Sequence, residues 1–289
     1  MNVVVIGLGL IGGSLALDIK KAYPDTHVLG IDINNAHIDQ ALQLGIIDKQ
    51  AAFADLYKAQ LVVVATPVNT IVEMLPTVLD HINDETVVFD VGSTKSLICN
   101  SVAQHARRRN FIAAHPISGT EFSGPGAAVN GLFNGKTNII CEVEKTAFKL
   151  QEKALKLFND LGMRIRYMNA AAHDKHIAYV SHLSHISSFM LGKTVIEKEK
   201  NERDIFDMAG SGFESTVRLA KSSPAMWTPI FDQNKENILE TLDEYINNLK
   251  KFKSYMEAGD FKSVYKEMED TNYIREILNG ITLQKPEKS

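Results

Sequence analysis

The chain opens with Asn2-Val3-Val4-Val5-Ile6-Gly7-Leu8-Gly9-Leu10-Ile11-Gly12-Gly13-Ser14-Leu15-Ala16, and this stretch decides the fold. Val3–Ile6 is a short apolar, β-branched run that reads as a buried strand. The glycines at 7, 9 and 12 follow it, and Gly13–Lys21 reads as a helix. In that strand–turn–helix setting each glycine has a separate task. Gly7 permits the tight turn. Gly9 presents no side chain to a pyrophosphate. Gly12 lets the helix pack close to the strand. Leu10 and Ile11 then lie at the helix N-terminus, where unpaired N–H groups and the helix dipole favour an anion. Asp32 closes the next apolar run, 20 residues beyond Gly12, where a carboxylate accepts hydrogen bonds from ribose hydroxyls. A carboxylate repels a 2′-phosphate, and Ile33, Asn34 and Asn35 supply no arginine. The segment predicts a dinucleotide site that prefers NAD to NADP.

Further apolar runs succeed the first at His27–Asp32, Leu61–Ala65, Thr86–Asp90 and Phe111–Ala114, separated by helix-length segments. That alternation predicts a Rossmann-type, doubly wound, mostly parallel sheet covered on both faces. Thr137–Val143 and Met163–Tyr167 are two more expected strands. They flank a helical Phe148–Leu161 whose apolar residues recur at helical spacing. Beyond Asn169 no strand pattern is found. Ala170–Lys198, Asn234–Ala258 and Phe261–Leu278 read as helices, and Gln284–Ser289 as a disordered tail. The expected organisation is an α/β nucleotide-binding domain over 1–169 and an all-α helical substrate and dimerisation domain over 170–289.

Composition narrows the partners. The 289 residues are 45% hydrophobic and 23% charged, with a formal net charge of −4. Nothing there favours nucleic acid or an anionic membrane. No apolar run approaches the roughly 20 residues of a membrane span, and no basic leader precedes the first strand. Two cysteines, Cys99 and Cys141, are too few for a disulfide framework and read as buried thiols. The expectation is a cytoplasmic protein acting on a small molecule.

Candidate chemistry lies at the ends of successive apolar runs, the edge at which open α/β sheets bind ligands. Thr66-Pro67 ends the third run. Asp90-Val91-Gly92-Ser93-Thr94-Lys95 follows the fourth, and His115-Pro116 the fifth. Ser93 and His115 are thereby expected beside the nicotinamide. A histidine there suits the removal of a hydroxyl proton during hydride transfer, because its ordinary pKa is near neutrality. His182 and His185, three residues apart, share one helix face. His173 and His176 invite a metal reading. From a single straight helix, however, the four histidines do not converge on one ion, and no HExxH or paired CxxC exists; no metal site is expected.

The blocks GLGLIGGSLA (Gly7–Ala16), DVGSTK (Asp90–Lys95), HPISGTEFSG (His115–Gly124), SHLSH (Ser181–His185) and GSGFESTVRLAKSSPAMW (Gly210–Trp227), in this order and spacing, resemble the prephenate dehydrogenase family over nearly the whole chain. The resemblance implies NAD-dependent oxidative decarboxylation of prephenate, or of arogenate, in tyrosine biosynthesis. It implies His115 as hydrogen-bond acceptor and base, with Ser93 beside it. It implies Arg218 on a substrate carboxylate, His185 and His182 at the substrate, Glu121 at the entrance, and a homodimer formed through the helical domain. One departure stands out: where some family members carry an Asp three residues before the arginine, this chain has Ser215, preceded by Glu214. Two rivals remain at this level. A β-hydroxyacid-type dehydrogenase would use Lys175, but the Asn expected a turn later is missing. A nucleotide sensor would need no His115 or Arg218.

Overall fold

Alternate residues of a strand face opposite ways, and in the central strands both faces are buried. In the computed structural model, which describes residues 1–200, 202 and 204–283 (281–283 by backbone alone), Val3 and Val5 of β1 (Asn2–Ile6) join one apolar cluster and Val4 and Ile6 join another. The period of two places a core on each side of the sheet. The remaining strands are β2 (His27–Ile31), β3 (Lys49–Gln50), β4 (Leu61–Val64), β5 (Val87–Asp90), β6 (Phe111–Pro116), β7 (Thr137–Cys141) and β8 (Arg164–Met168). Their order is β3-β2-β1-β4-β5-β6-β7-β8. Every pairing is parallel except β6 with β7, which turns the last two strands around. The strand order reverses between β1 and β4, the switch point where doubly wound sheets open a crevice. The two-residue β3 is the one strand not expected from sequence. It is polar and exposed, and joins through backbone pairing with β2.

Helices α1 (Leu10–Ala22), α2 (Asn35–Gln43) and α5 (Phe148–Asp160) cover the first face through Leu15, Ile19, Ile38, Leu157 and Phe158. Helices α3 (Val68–His81) and α4 (Ser96–Ser101) cover the second with Ile71, Leu75 and Ile98. Trp227 and Ile230 of α9 (Pro224–Gln233) also pack into this second core. Part of the helical region is therefore built onto the sheet, and Met1–Lys235 forms one compact unit.

The long helix expected over Ala170–Lys198 is interrupted. α6 (Ala170–Ile177) passes through a π-helical turn, Ala178–His182, into α7 (Leu183–Glu199). Four residues before that turn begins, Asn234 Nδ2 donates to the Asp174 carbonyl at 2.7 Å, and the same carbonyl accepts the Ala178 amide. The interruption rotates His182 and His185 away from the positions a straight helix gives them. A short helix α8 (Ser211–Val217) follows, then a 3₁₀ turn, Arg218–Lys221.

The second unit spans Glu236–Ser289 and contains most of α10 (Lys235–Glu257), then α11 (Phe261–Thr271) and α12 (Ile274–Leu283). Phe261–Leu278 is thus two helices, separated after Asn272, whose N–H closes back onto the Met268 and Glu269 carbonyls. The stripe Ile246, Leu249, Phe252 and Met256 of α10 lies exposed, as do Ile274, Ile277 and Leu278. The tail expected to be disordered lies outside the described residues. Among the described residues no helix is long and apolar enough to cross a membrane.

Candidate active site

The glycine turn is shaped by what each position excludes. Gly7 has φ +93°, and a Cβ there would meet the Ala65 carbonyl oxygen at 2.5 Å. A Cβ on Gly12 would lie 2.0 Å from the Gly7 carbonyl oxygen. Gly7 and Gly12 thus hold β1, α1 and the end of β4 together. Gly9 differs: a Cβ there would meet nothing within 4 Å, so its backbone faces open space. Beside it, the N-terminus of the 13-residue α1 carries no acidic residue in its first turn. Asp32 accepts from the Leu8 and Asn34 amides, each at 2.9 Å. An open glycine, a free helix N-terminus and an oriented carboxylate fit a dinucleotide pyrophosphate and ribose.

Gly9, Leu10 and Ile11 form one wall of a cavity of about 620 Å³ that also reaches Thr66, Pro67, Ser93, His115, Glu121, His185 and Arg218. Residues from six separated segments thus meet in one space, inside the first unit. Of the expected cofactor residues Gly7, Gly12 and Asp32 do not line it, and of the expected catalytic and substrate residues His182 does not. Its ring is fully buried behind, edge-on to Trp227 and Phe231. His185 takes the cavity position, stacked on Trp227 with ring centroids 3.5 Å apart. Arg218 is half-exposed and meets Glu121 at 3.3 Å. A second concavity, of about 530 Å³ beside Glu142, Lys145 and Tyr167, holds none of these residues.

The Asp90–Lys95 block earns its place chiefly through residues whose roles the sequence did not disclose. Asp90 and Lys95 form a fully buried ion pair. Asp90 also accepts from the Gly92 and Ala114 amides, and Lys95 Nζ donates to the Ala114 carbonyl at 2.8 Å. Burial pushes the Asp90 carboxyl up, against the pull of Lys95. This cluster ties the end of β5 to β6 and fixes Ser93 and His115 at adjacent strand ends. Cys99 and Cys141 are buried free thiols, both pushed up to about 12 by burial.

His115 is buried, 8% exposed, and its Nδ1 lies 2.8 Å from His173 Nε2. Burial first, then the neighbouring His173 and Lys95, holds its pKa well below 6.5, so the ring is neutral at neutral pH. His173 Nδ1 in turn lies 2.8 Å from Asp174 Oδ1. The His173/His176 pair therefore splits, with His173 buried against His115 and His176 exposed. His173 and Asp174 were visible only as part of a histidine-rich helix. Their partner stands 58 residues away in sequence, and spacing along one helix carries no trace of it.

A neutral imidazole facing a nucleotide-binding turn across a shared cavity defines a dinucleotide-dependent oxidoreductase. Comparison with known proteins gives the family. The prephenate dehydrogenase nucleotide-binding domain matches residues 15–167, and the prephenate dehydrogenase dimerization domain matches residues 169–270. The prephenate dehydrogenase of Bacillus subtilis is 34% identical over 269 residues, spanning 92% of this chain and 72% of that protein. The crystal structure of Aquifex aeolicus prephenate dehydrogenase, in complex with hydroxyphenyl propionate and NAD+, superposes with a TM-score of 0.87 at 30% identity, covering 96% of this chain and 98% of that one. Synechocystis arogenate dehydrogenase follows at 0.77 and 25% identity, covering 96% and 100%. The chain belongs to the prephenate dehydrogenase family, a family of NAD-dependent oxidoreductases.

Proposed function

We propose that this protein catalyses the NAD-dependent oxidative decarboxylation of prephenate to 4-hydroxyphenylpyruvate, a step of tyrosine biosynthesis. The observation that carries the reading is the neutral, buried His115 in the same cavity as the open Gly9 and the half-exposed Arg218. Gly7, Gly9, Leu10, Ile11, Gly12, Asp32, Thr66 and Pro67 hold the cofactor. NAD+ bound there supplies the hydride acceptor. The C4 hydroxyl gives its proton to His115 as hydride leaves C4, and Ser93 hydrogen-bonds the pair. The C1 carboxylate departs as CO₂, the ring becomes aromatic, and the proton returns to the phenol oxygen. Arg218 exchanges Glu121 for a substrate carboxylate, which a guanidinium can bind bidentately. His185 contacts the substrate; His182 supports Trp227 from behind. Arogenate is the second reading, because the Glu121 carboxylate in the cavity offers an ammonium group a partner.

The exposed apolar stripe of α10, with the match to a dimerization domain, supports a homodimer formed through the helical region. We place the functional domain boundary near residue 169, and the protein in the cytoplasm. Reduced-nicotinamide absorbance, with prephenate or arogenate crossed against NAD+ or NADP+, tests the central reading. Turnover of prephenate with NAD+ is expected. Silence in all four combinations, with NAD+ binding intact, overturns it.

A further inference from the structure

The ring nitrogens at the site form an ordered series that ends on a carboxylate. Asp174 Oδ1 accepts from His173 Nδ1 and from the Lys95 amide, and Oδ2 accepts from the Ser96 amide. Burial pushes the Asp174 carboxyl up, but the bonds from His173 and from Ser96 and Lys95 outweigh it and hold the carboxyl below its ordinary value. An ionised carboxylate can only accept. His173 therefore carries its proton on Nδ1 and turns a lone pair on Nε2 towards His115. His115 Nδ1, 2.8 Å from that lone pair, must be the donor. The sole lone pair left on the His115 ring is on Nε2, and His115 lines the cavity.

We propose that His173 and Asp174 are positioning residues that set the tautomer and orientation of His115, so that its basic Nε2 faces the substrate hydroxyl. The proposal rests on the reading of His115 as base. The two residues supply what a buried imidazole lacks. Proton transfer to Nε2 creates an imidazolium in a site that disfavours charge, and the Nδ1–H bond to a carboxylate-anchored acceptor stabilises it. Asp174 also links this series to the strand ends. By accepting the Lys95 and Ser96 amides it fixes α6 to the loop that carries Ser93. Acceptor and base thus move as one body.

Nitrogen-15 NMR of the histidine-labelled protein at neutral pH reads the tautomer directly, with His115→Asn identifying the signal. His115 in the Nδ1–H form is expected; the Nε2–H form overturns the proposal. That measurement stands whether or not prephenate proves to be the substrate, so the two readings fail separately. Kinetics supply a second arm. His173→Leu removes the acceptor and should lower kcat by roughly 10²-fold, the lower range for a positioned acid–base group, with NAD+ affinity and substrate KM within about threefold of wild type. His173→Gln keeps an acceptor oxygen and should recover about tenfold of that loss. Equal kcat in the two variants, whether low or undiminished, assigns His173 a packing role only and overturns the proposal. Should either variant fail to fold, the wild-type tautomer decides.

Discussion

The cofactor edge and the catalytic edge share one cavity but are made of different material. The cofactor edge is backbone: a glycine turn, a helix N-terminus and one carboxylate, drawn mostly from residues 7–12 and 32. Its function depends on side chains that are absent. The catalytic edge is side chain: His115, His173, Asp174, Glu121, His185 and Arg218 arrive from strand, loop and helices far apart in sequence. A backbone site tolerates little substitution and says so in a short motif. A side-chain site divides its tasks among residues that can be removed one at a time, so variants at the two edges should fail in different ways.

The sharpest contrast is His115→Asn. Asn cannot take the hydroxyl proton, so kcat should fall by roughly 10²–10⁴-fold, while NAD+ affinity, set at the other edge, stays as in wild type. Steady-state kinetics with direct NAD+ titration checks both. Loss of NAD+ affinity together with turnover would erase the division between the edges.

His182 extends the contrast to stability. It accepts from Asn234 Nδ2 at 3.1 Å, and that amide also donates to the Asp174 carbonyl, which fixes its orientation. Protonating His182 Nδ1 would set donor against donor. Burial above all lowers its pKa from 6.5 to about 4. The folded pKa is the depressed one, so below pH 6.5 the unfolded chain takes up the proton first. The stabilisation is complete above pH 6.5 and is lost as the pH falls towards 4, by roughly 3 kcal/mol in all. His182→Phe keeps an aromatic ring against Trp227 and removes the titration. Denaturant unfolding between pH 4 and 7 should show a shallower pH dependence in the variant, and an unchanged slope would refute this account of the ring.

These cases mark how far the sequence could be read. The central strands were legible because parallel strands covered on both faces are short continuous apolar runs, as in the fully buried Leu61–Val64. The glycine turn was legible because its demands are local. The π turn at Ala178–His182 was not: the segment reads as continuous helix, and the Asn234 amide that meets the Asp174 carbonyl comes from far along the chain. For the same reason His182 looked like a partner of His185, whereas the structure buries the one and turns the other to the cavity. Asp174 was visible, but three of its partners, Lys95, Ser96 and Asn234, lie on other elements that no helical period connects to it.

Arg218→Ala probes the outer end of the catalytic edge. Arg218 is half-exposed and its pair with Glu121 spans 3.3 Å, so the pair itself adds little to stability. Its worth is kept for the substrate. A charge-assisted bond to a carboxylate contributes about 1.5–3 kcal/mol, so KM for prephenate should rise roughly 10–100-fold with kcat nearly unchanged. An equal fall in kcat at constant KM would move Arg218 from binding into the transition state.

The smallest expected effect sits at the cofactor edge and isolates backbone from fold. Gly12 is useless for this purpose, because any Cβ there strikes the Gly7 carbonyl and disturbs the turn itself. Gly9 suits it: its φ is −72° and ψ −165°, an extended conformation any residue adopts, and the space around it is open. Gly9→Ala should leave thermal unfolding of the free protein unchanged. The added methyl occupies the space assigned to the pyrophosphate, so NAD+ should bind about tenfold more weakly, which is 1.4 kcal/mol. Calorimetric titration with NAD+ alone measures this without reference to any substrate. Unaltered affinity would mean that the cofactor does not approach the chain at Gly9, and the division of the cavity into two edges would have to be redrawn from the other wall.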